Sequence, residues 1–226
     1  MVQTILGKVA MLPNGFYKSL EGVDEVEIEF ICYGVPRSGS TLVYQLISGI
    51  YPQGVVKTHR YCSQRVKTTA SYRDFRDVVV SLWRRSKGGK THQQMSAAEV
   101  EKYATLCQAR VKELDRYLER GGICLLRYED FVDNPAFIFK ALEKTFGIIV
   151  DPQKVEELVR EHSLEKNREV ARRLRGFKEV DSATQIHGDH IYQAEVGGWR
   201  KFVRDRTAER LEFLLRAPLT RYGYLD

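Results

Sequence analysis

A short loop bounded by two glycines, between a predicted strand and a predicted helix, constrains this fold more than any other feature. In residues 26–32, apolar side chains first alternate with polar ones and then run together, as in a strand that enters a core. Gly34 and Gly39 follow with the GxxxxG spacing of a phosphate-binding loop. Leu42 opens a helical apolar pattern that Pro52 ends. In such a loop, backbone N–H groups and the positive end of the helix converge on one phosphate.

Strand and helix signals alternate along the rest of the chain. Further strands are predicted at residues 54–58, 68–72 and 123–128. Helices are predicted to begin near Asp74, Ser96, Pro135 and Asp151, and a last helix carries Leu211, Leu214, Leu215 and Leu219. Residues 86–94 are predicted to be a surface loop and residues 176–198 a long functional loop. The alternation predicts an α/β fold with a mainly parallel sheet, which binds its ligands at the carboxyl ends of the strands.

Length, charge and cysteine spacing restrict the class of protein. The 226 residues suit a single domain spanning residues 1–226, because no linker divides them. The net charge of +6 favours an anionic ligand, but no nucleic-acid-binding module is recognisable, so no nucleic-acid partner is predicted. The four cysteines lack metal-ligand spacing, so no metal is predicted. Because membrane-span and signal-peptide patterns are absent, the sequence predicts a cytoplasmic protein without a membrane partner.

The phosphate-binding loop lacks the lysine that normally follows its second glycine. Ser40 occupies that position, and Arg37 is the only cation of the loop. Because the usual lysine reaches the β- and γ-phosphates of a triphosphate, this loop suits ATP hydrolysis poorly. It still suits a single 5′-phosphate, held by hydroxyl groups, backbone N–H groups and one guanidinium. The alternative is a glycine-rich turn that binds no ligand.

Residues 36–41 (PRSGST) resemble the 5′-phosphosulfate loop of the PAPS-dependent sulfotransferases, in which Pro, a basic residue, Ser or Thr, and Gly precede two hydroxyl residues. PAPS is 3′-phosphoadenosine 5′-phosphosulfate, and PAP is the nucleotide product. The resemblance implies a three-layer P-loop NTPase-like fold with a central mainly parallel sheet flanked by helices, PAPS as the donor, and no metal. It also implies that the 5′ end of the donor is bound by Arg37, Ser38, Gly39, Ser40, Thr41 and Leu42.

A second segment, residues 72–81 (YRDFRDVVVS), resembles the family motif that holds the 3′-phosphate of the nucleotide. It places Arg73 at the end of a strand and Ser81 in the next helix. The resemblance assigns both residues to the 3′-phosphate, to which Arg would donate charged hydrogen bonds and Ser a hydroxyl contact. Phe75 stands where the family usually has Pro. Taken without the family, both residues would be interpreted as surface residues near a helix cap.

A third segment, residues 55–59 (VVKTH), resembles the Lys-x-His motif of the family. This implies that His59 is the general base, since an ordinary histidine titrates near working pH. Lys57 and Arg37 are then expected to stabilise charge on the sulfuryl group and the leaving phosphate. A lone histidine is more often structural, and only its place at a strand end beside the phosphate loop favours the catalytic interpretation.

Two later segments complete the resemblance. Residues 126–131 (LRYEDF) match a family motif that implies Tyr128 lies against the adenine, and residues 196–200 (VGGWR) resemble Gly-x-Trp followed by Arg or Lys. Cytosolic members carry Arg-Lys-Gly just before that motif to clamp the 3′-phosphate, whereas this chain has Tyr, Gln and Ala at residues 192–194. The candidates to replace the clamp are Gln193, Arg200 and Lys201.

Together the motifs predict transfer of a sulfuryl group from PAPS to a hydroxyl or amine acceptor by in-line displacement. Two alternatives are a catalytically inactive PAP(S)-binding protein and a noncanonical P-loop kinase, in which Asp130 would serve as the Mg²⁺-binding acid. Cations in residues 57–67 and 86–94 are compatible with an acidic or sugar acceptor, and a solvated basic surface explains them equally well. The sequence leaves open whether the acceptor is a small molecule or a sugar, and which oligomeric state the protein adopts.

Overall fold

Four parallel strands form the central sheet of the computed structural model, which describes residues 28–88, 92–176, 178–188 and 195–225. The strands are β1 (Phe30–Gly34), β2 (Val55–Thr58), β3 (Lys67–Tyr72) and β4 (Ile123–Arg127). Their order in the sheet is β2-β1-β3-β4, and every neighbouring pair is parallel. The predicted α/β fold with a parallel sheet is therefore confirmed. The first strand starts later than the alternation indicated, since residues 28 and 29 precede it, and residues 26 and 27 lie outside the described ranges.

Eight α-helices and one 3₁₀ turn surround the sheet within the described residues. They are α1 (Ser40–Ser48), α2 (Phe75–Ser86), α3 (Ala97–Arg120), α4 (Tyr128–Phe131), α5 (Phe137–Phe146), α6 (Pro152–Glu161), α7 (Leu164–Arg173), α8 (Asp205–Arg221) and the turn Gly198–Lys201. The predicted capping box of α3 is present, with the Ser96 and Glu99 side chains each accepting from the other's backbone N–H. Among these described helices, none combines the length and the apolar character that crossing a membrane requires.

Alternate residues of β1 enter two separate cores, which gives the fold its three layers. Ile31 and Tyr33 pack into the core beneath α2, α3 and α8, whereas Phe30 and Cys32 pack into the core beneath α1, α5 and α6. Burying a large apolar side chain contributes about 1.5–3 kcal/mol. Helices cover both faces of β1. All of its residues are therefore buried, and its sequence is apolar without the polar–apolar alternation of a half-exposed strand.

Two short elements depart from the predictions. The strand predicted at residues 123–128 ends at Arg127, and Tyr128 begins the single turn of α4. Helix α7 was not predicted, since its sequence is strongly polar and only Asn167 and Ala171 are buried. Its Asn167 exchanges side-chain hydrogen bonds with Gln45 of α1, and Gln45 also donates to the Thr184 carbonyl at 3.0 Å. This buried contact holds part of the predicted loop 176–198 against the helix that follows the phosphate loop.

Candidate active site

The structure brings four of the predicted segments to one edge of the sheet. Parallel strands in one sheet have their carboxyl ends at the same edge. Arg37 follows β1, His59 follows β2, Arg73 follows β3 and Tyr128 follows β4. The β1–β2 register sets Lys57 directly opposite Cys32, two residues before the phosphate loop. The topology therefore places the candidate catalytic and nucleotide-binding residues around a common crevice.

The first turn of α1 begins directly after the loop that follows β1. The first hydrogen bond of α1 joins the Val43 N–H to the Gly39 carbonyl at 3.2 Å, so the preceding amides of the first turn have no acceptor within the helix. Leu42 packs its side chain against the core, so its backbone N–H is the group it could offer to a phosphate. Gly39 has φ +76°, and a Cβ there would lie 2.9 Å from the Tyr128 ring. Glycine is needed at this position for both reasons.

Arg37 occupies a strained position and joins two of the predicted subsites. Its φ of 74° lies in the left-handed region, which costs a non-glycine residue about 1–2 kcal/mol. Its Nε donates to the Ser81 hydroxyl at 2.8 Å. The residue predicted for the 5′ end of the donor is thus bonded to a residue predicted for the 3′-phosphate. Strain of this kind persists where the surroundings hold it, which is common at ligand-binding sites.

Ser38 fastens the loop to the sheet instead of facing the crevice. Its hydroxyl donates to the Ser71 carbonyl at 3.0 Å and lies 2.8 Å from the Ser71 hydroxyl. The side chain is fully buried, and its own N–H donates to Val35. A nucleotide contact from the Ser38 hydroxyl would therefore require one of these bonds to break. These bonds fix the shape of the loop.

We expect Gly34→Ala to destabilise the fold, because a Cβ at this position would lie 2.5 Å from both the Ser40 Cβ and the Ser71 hydroxyl. Overpacking of this kind lowers the free energy of unfolding by about 1–3 kcal/mol. Chemical denaturation measures the loss. Gly88→Ala is the control, since nothing lies within 4 Å of its Cβ and only the left-handed φ of +72° opposes the change. Equal losses in both variants would contradict close packing at Gly34.

Lys57 reaches the phosphate loop from β2. Its Nζ donates to the Thr41 hydroxyl at 2.7 Å. Burial lowers the pKa of Lys57 to about 8, the Cys32 thiol opposes that shift, and the charge of Arg37 adds to it. Lys57 is consequently still mostly charged at pH 7 and can stabilise an anion at the loop.

The His59 ring is oriented by the loop carbonyl before it. Its Nδ1 lies 2.6 Å from the Gly34 carbonyl oxygen, which can only accept, so Nδ1 carries the proton and donates. This leaves Nε2 unprotonated. Burial lowers the pKa of His59 to about 4, and the charge of Lys57 adds to the effect. At pH 7 the ring is neutral and Nε2 can accept a proton.

Arg73 is held at the crevice by a buried ion pair and an aromatic ring. Its Nη2 lies 3.0 Å from the Asp77 carboxylate and also donates to the Glu195 carbonyl. Its guanidinium sits 4.6 Å from the centroid of the Tyr128 ring. Arg73 is only 6% exposed, and its Nε has no hydrogen-bond partner among the described residues. A buried, unsatisfied donor beside an open cleft is the signature expected of a ligand-binding arginine.

Asp77 is a positioning residue that the sequence reasoning missed. Besides Arg73, its carboxylate accepts the backbone N–H groups of Gly197 at 2.8 Å and Trp199 at 2.9 Å. It therefore docks the Gly-Gly-Trp-Arg segment onto α2 beside Arg73. The four-residue spacing between Arg73, just before α2, and Asp77 in its first turn is the signal that would have predicted their pairing.

A shallow cleft opens between α2 and the segment that Asp77 docks. Its lining includes Arg37, Arg73, Ser81, Arg84, Trp199 and Phe202. Three arginines thus line one cleft together with two acids: Asp77 is bonded to Arg73 and to two amides, and Glu195 pairs with Lys201. The cleft fits an anion with several acceptor oxygens.

The remaining residues that the sequence offered as replacements for the clamp lie outside the lining of the cleft or outside the described ranges. Arg200 is exposed and stacks 4.6 Å from the centroid of the Trp199 ring without lining the cleft. Lys201 is bound to the Glu195 carboxylate at 2.7 Å. Gln193, like the whole 189–194 stretch, lies outside the described residues. Neither Arg200 nor Lys201 is therefore placed to replace the missing Arg-Lys-Gly clamp.

Solved structures that share this fold include a sulfotransferase and retinol dehydratase. A crystal structure of mouse sulfotransferase SULT7A1 complexed with PAP aligns with a TM-score of 0.61 at 13% identity, covering 89% of this chain and 90% of that one. A structure of retinol dehydratase in a complex with retinol and PAP aligns with a TM-score of 0.62 at 15% identity, covering 86% and 82%. A second retinol dehydratase structure, with androsterone and the inactive cofactor PAP, gives 0.60 at 16% identity, covering 84% and 80%. At such low identity these alignments establish the fold alone.

The sequence itself carries the family assignment. Comparison with curated proteins gives no match. The family model described as "Sulfotransferase domain" matches residues 54–223, which include Lys57, His59, Arg73 and Trp199 but begin after the phosphate loop. The match covers well over half of the chain, and the loop it omits has the strand–loop–helix geometry described above. The protein belongs to the sulfotransferase domain family.

Proposed function

We propose that this protein transfers a sulfuryl group from PAPS to a hydroxyl or amine acceptor. The observation that carries the proposal is the hydrogen bond between His59 Nδ1 and the Gly34 carbonyl at 2.6 Å. It fixes an unprotonated Nε2 beside the loop that Lys57 contacts through Thr41. The PAP complexes of the structural neighbours support PAPS as the donor.

The donor would lie across the loop and the arginine cleft. Its 5′ end meets the amides of the first turn of α1, the Thr41 hydroxyl and the Arg37 guanidinium. Its 3′-phosphate meets Arg73 and Ser81 in the cleft. The Arg37–Ser81 hydrogen bond supports placing these two subsites side by side. The Arg73 Nε, which has no partner among the residues that the structure describes, then gains an acceptor, and the cost of a buried unsatisfied donor is removed.

The chemistry requires one proton acceptor and two cations. The bound donor supplies an electrophilic sulfuryl group: a bond forms from sulfur to the acceptor oxygen or nitrogen as the bond from sulfur to the phosphate oxygen breaks, leaving PAP. His59 Nε2 takes the proton of the acceptor. Lys57 and Arg37 stabilise the charge that develops on the sulfuryl and phosphate oxygens.

For the acceptor we propose a small molecule. Retinol and androsterone are the small molecules in the two structures of the neighbour retinol dehydratase.

Calorimetric titration with PAP, compared with ATP and Mg²⁺, tests the proposed donor. We expect PAP to bind in the micromolar range or tighter without metal. Incubation with PAPS and a panel of small hydroxyl and amine acceptors should then release PAP. Binding of ATP with Mg²⁺ but not of PAP would overturn the proposal in favour of a kinase. PAP binding without turnover on any acceptor would instead identify an inactive nucleotide-binding protein.

The pH dependence of kcat/KM should be bell-shaped, with limbs near pH 4 and pH 8. Protonation of His59, whose pKa is lowered to about 4, removes the base on the acid side. Deprotonation of Lys57, whose pKa is lowered to about 8, removes a cation on the alkaline side. Lys57→Arg keeps its charge at high pH, so its alkaline limb should move upward while the acid limb stays. An unchanged alkaline limb in Lys57→Arg would show that another group titrates there.

A further inference from the structure

Helix α3 packs along the loop that follows His59. The Glu113 carboxylate accepts the Tyr61 N–H at 2.9 Å, and the Tyr117 hydroxyl donates at 3.1 Å to the carbonyl of the residue after His59. Arg110 lies one turn before Glu113, and residues three or four apart share one face of a helix. Arg110 therefore lies on the side of α3 that faces this loop.

A hydrogen bond from the sheet also places Arg110 near His59. The Tyr33 hydroxyl donates to the Arg110 carbonyl at 2.9 Å. Tyr33 directly precedes Gly34, whose carbonyl lies 2.6 Å from His59 Nδ1. Burial lowers the pKa of His59 to about 4, and the positive charge of Arg110 adds to that effect. The Arg110 guanidinium therefore belongs to the electrostatic surroundings of the proposed base.

No carboxylate among the residues that the structure describes pairs with the Arg110 guanidinium. Glu113, the acid on the same face of α3, instead accepts the Tyr61 N–H and lies 3.5 Å from the Arg116 guanidinium. Arg110 is half-buried, and such a charge gains more from an opposite charge than a charge in open water does. A bound molecule could supply that opposite charge.

An apolar side chain extends this face of α3 in the direction of α2. Leu106 lies one turn before Arg110, and 49% of it is exposed. One turn earlier still, the Tyr103 hydroxyl donates to the Ser86 hydroxyl at the end of α2, at 2.6 Å. Helix α3 thus bridges the end of α2 and the loop after His59, and the span between these two contacts carries Leu106 and Arg110.

We propose that Arg110 binds a carboxylate of the acceptor, so that the substrates are small hydroxyl or amine compounds that also carry a carboxylate. A guanidinium and a carboxylate form paired, charge-assisted hydrogen bonds. The hydroxyl or amine of the acceptor meets His59 Nε2, and its apolar part contacts Leu106. This inference rests on the proposed function and narrows its acceptor class. The bonds made and broken in the transfer stay the same, and Arg110 acts only as a specificity residue.

Matched acceptor pairs test the inference on the unaltered protein. The compounds para-hydroxyphenylacetate and para-hydroxyphenylacetamide share a phenolic hydroxyl and nearly the same shape, but only the first is charged. The corresponding propionate and its amide place the charge farther from the hydroxyl. Release of PAP from PAPS measures kcat/KM. We expect kcat/KM to be higher for the acid than for its amide by about 10-fold or more in at least one pair, through KM rather than kcat.

Arg110→Gln should remove this preference. We expect acid and amide to fall within about threefold of each other, with kcat/KM for the amide changed little, because a charged hydrogen bond is lost only with the acid. A charge that served only to tune His59 would change acid and amide equally. Lys112→Gln is the control, since it removes a positive charge from an exposed position on another face of α3 and should leave the preference intact.

Thermal unfolding without ligand checks that each variant is folded. If Arg110→Gln is not, Arg110→Lys carries the test: it keeps the charge but not the planar fork, so its preference for the acid should be intermediate. Turnover of neutral acceptors without any preference for the acids, or equal losses for acid and amide in the Arg110 variant, would overturn the role of Arg110 and leave the proposed function standing. Failure of the unaltered protein to bind PAP, or to transfer to any acceptor, would instead overturn the proposed function, and this inference with it.

Discussion

Replacing His59 with alanine should lower kcat by about 10²-fold or more, which is the usual contribution of a positioned general base. The affinity for PAP should stay within about twofold, because the ring donates to the Gly34 carbonyl and makes no contact with the arginine cleft. Single-turnover kinetics with PAPS and calorimetry with PAP measure the two effects separately. A loss confined to kcat is expected of a group that acts on the acceptor proton.

His162→Ala is the matched control for this experiment. His162 is the C-cap of α6, and burial lowers its pKa as it does for His59, but it follows no strand of the sheet and does not line the cleft. Its replacement should leave kcat unchanged. His59→Gln refines the test, since glutamine can still donate to Gly34 but cannot serve as a base. If His59→Ala or His59→Gln kept full turnover, another group would have to accept the proton.

The elements around the crevice could be predicted because their signals are local. The apolar end of β1, the GxxxxG spacing and the Ser96–Glu99 capping box each depend on residues a few positions apart, and the structure confirms all three. The convergence of the loops that follow the strands could also be predicted, since parallel strands have their carboxyl ends at one edge of the sheet. The sheet order β2-β1-β3-β4 depends on contacts between distant segments, which periodicity does not encode.

The contacts that build the cleft could not be predicted for the same reason. Asp77 is bonded to amides 120 and 122 positions away in the sequence, and Arg84 stacks on a ring that only the tertiary fold brings to α2. Helix α7 was missed because its sequence is strongly polar and only Asn167 and Ala171 are buried, although Asn167 anchors it to α1. In each case the deciding energy comes from tertiary packing rather than from local propensity.

Arg73→Ala is expected to raise the Kd for PAP by about 10²-fold, the effect of losing up to two charged hydrogen bonds to a phosphate. Adenosine 5′-monophosphate should be affected far less. The variant should also lose about 3–5 kcal/mol of unfolding free energy, because removing one partner leaves the buried Asp77 carboxylate uncompensated. Calorimetry with both nucleotides and chemical denaturation measure the two losses.

The two losses can be separated with lysine variants. Arg73→Lys keeps a charge that can pair with Asp77, so stability should largely return, whereas bidentate contact with the phosphate should not. Arg76→Lys is the comparison: Arg76 is an equally buried arginine of α2, paired with Asp74 at 2.8 Å but outside the cleft. It should cost stability without changing the preference for PAP over adenosine 5′-monophosphate. If Arg76→Lys lost the preference for PAP, or if both Arg73 variants kept it, Arg73 would support the fold without recognising the 3′-phosphate.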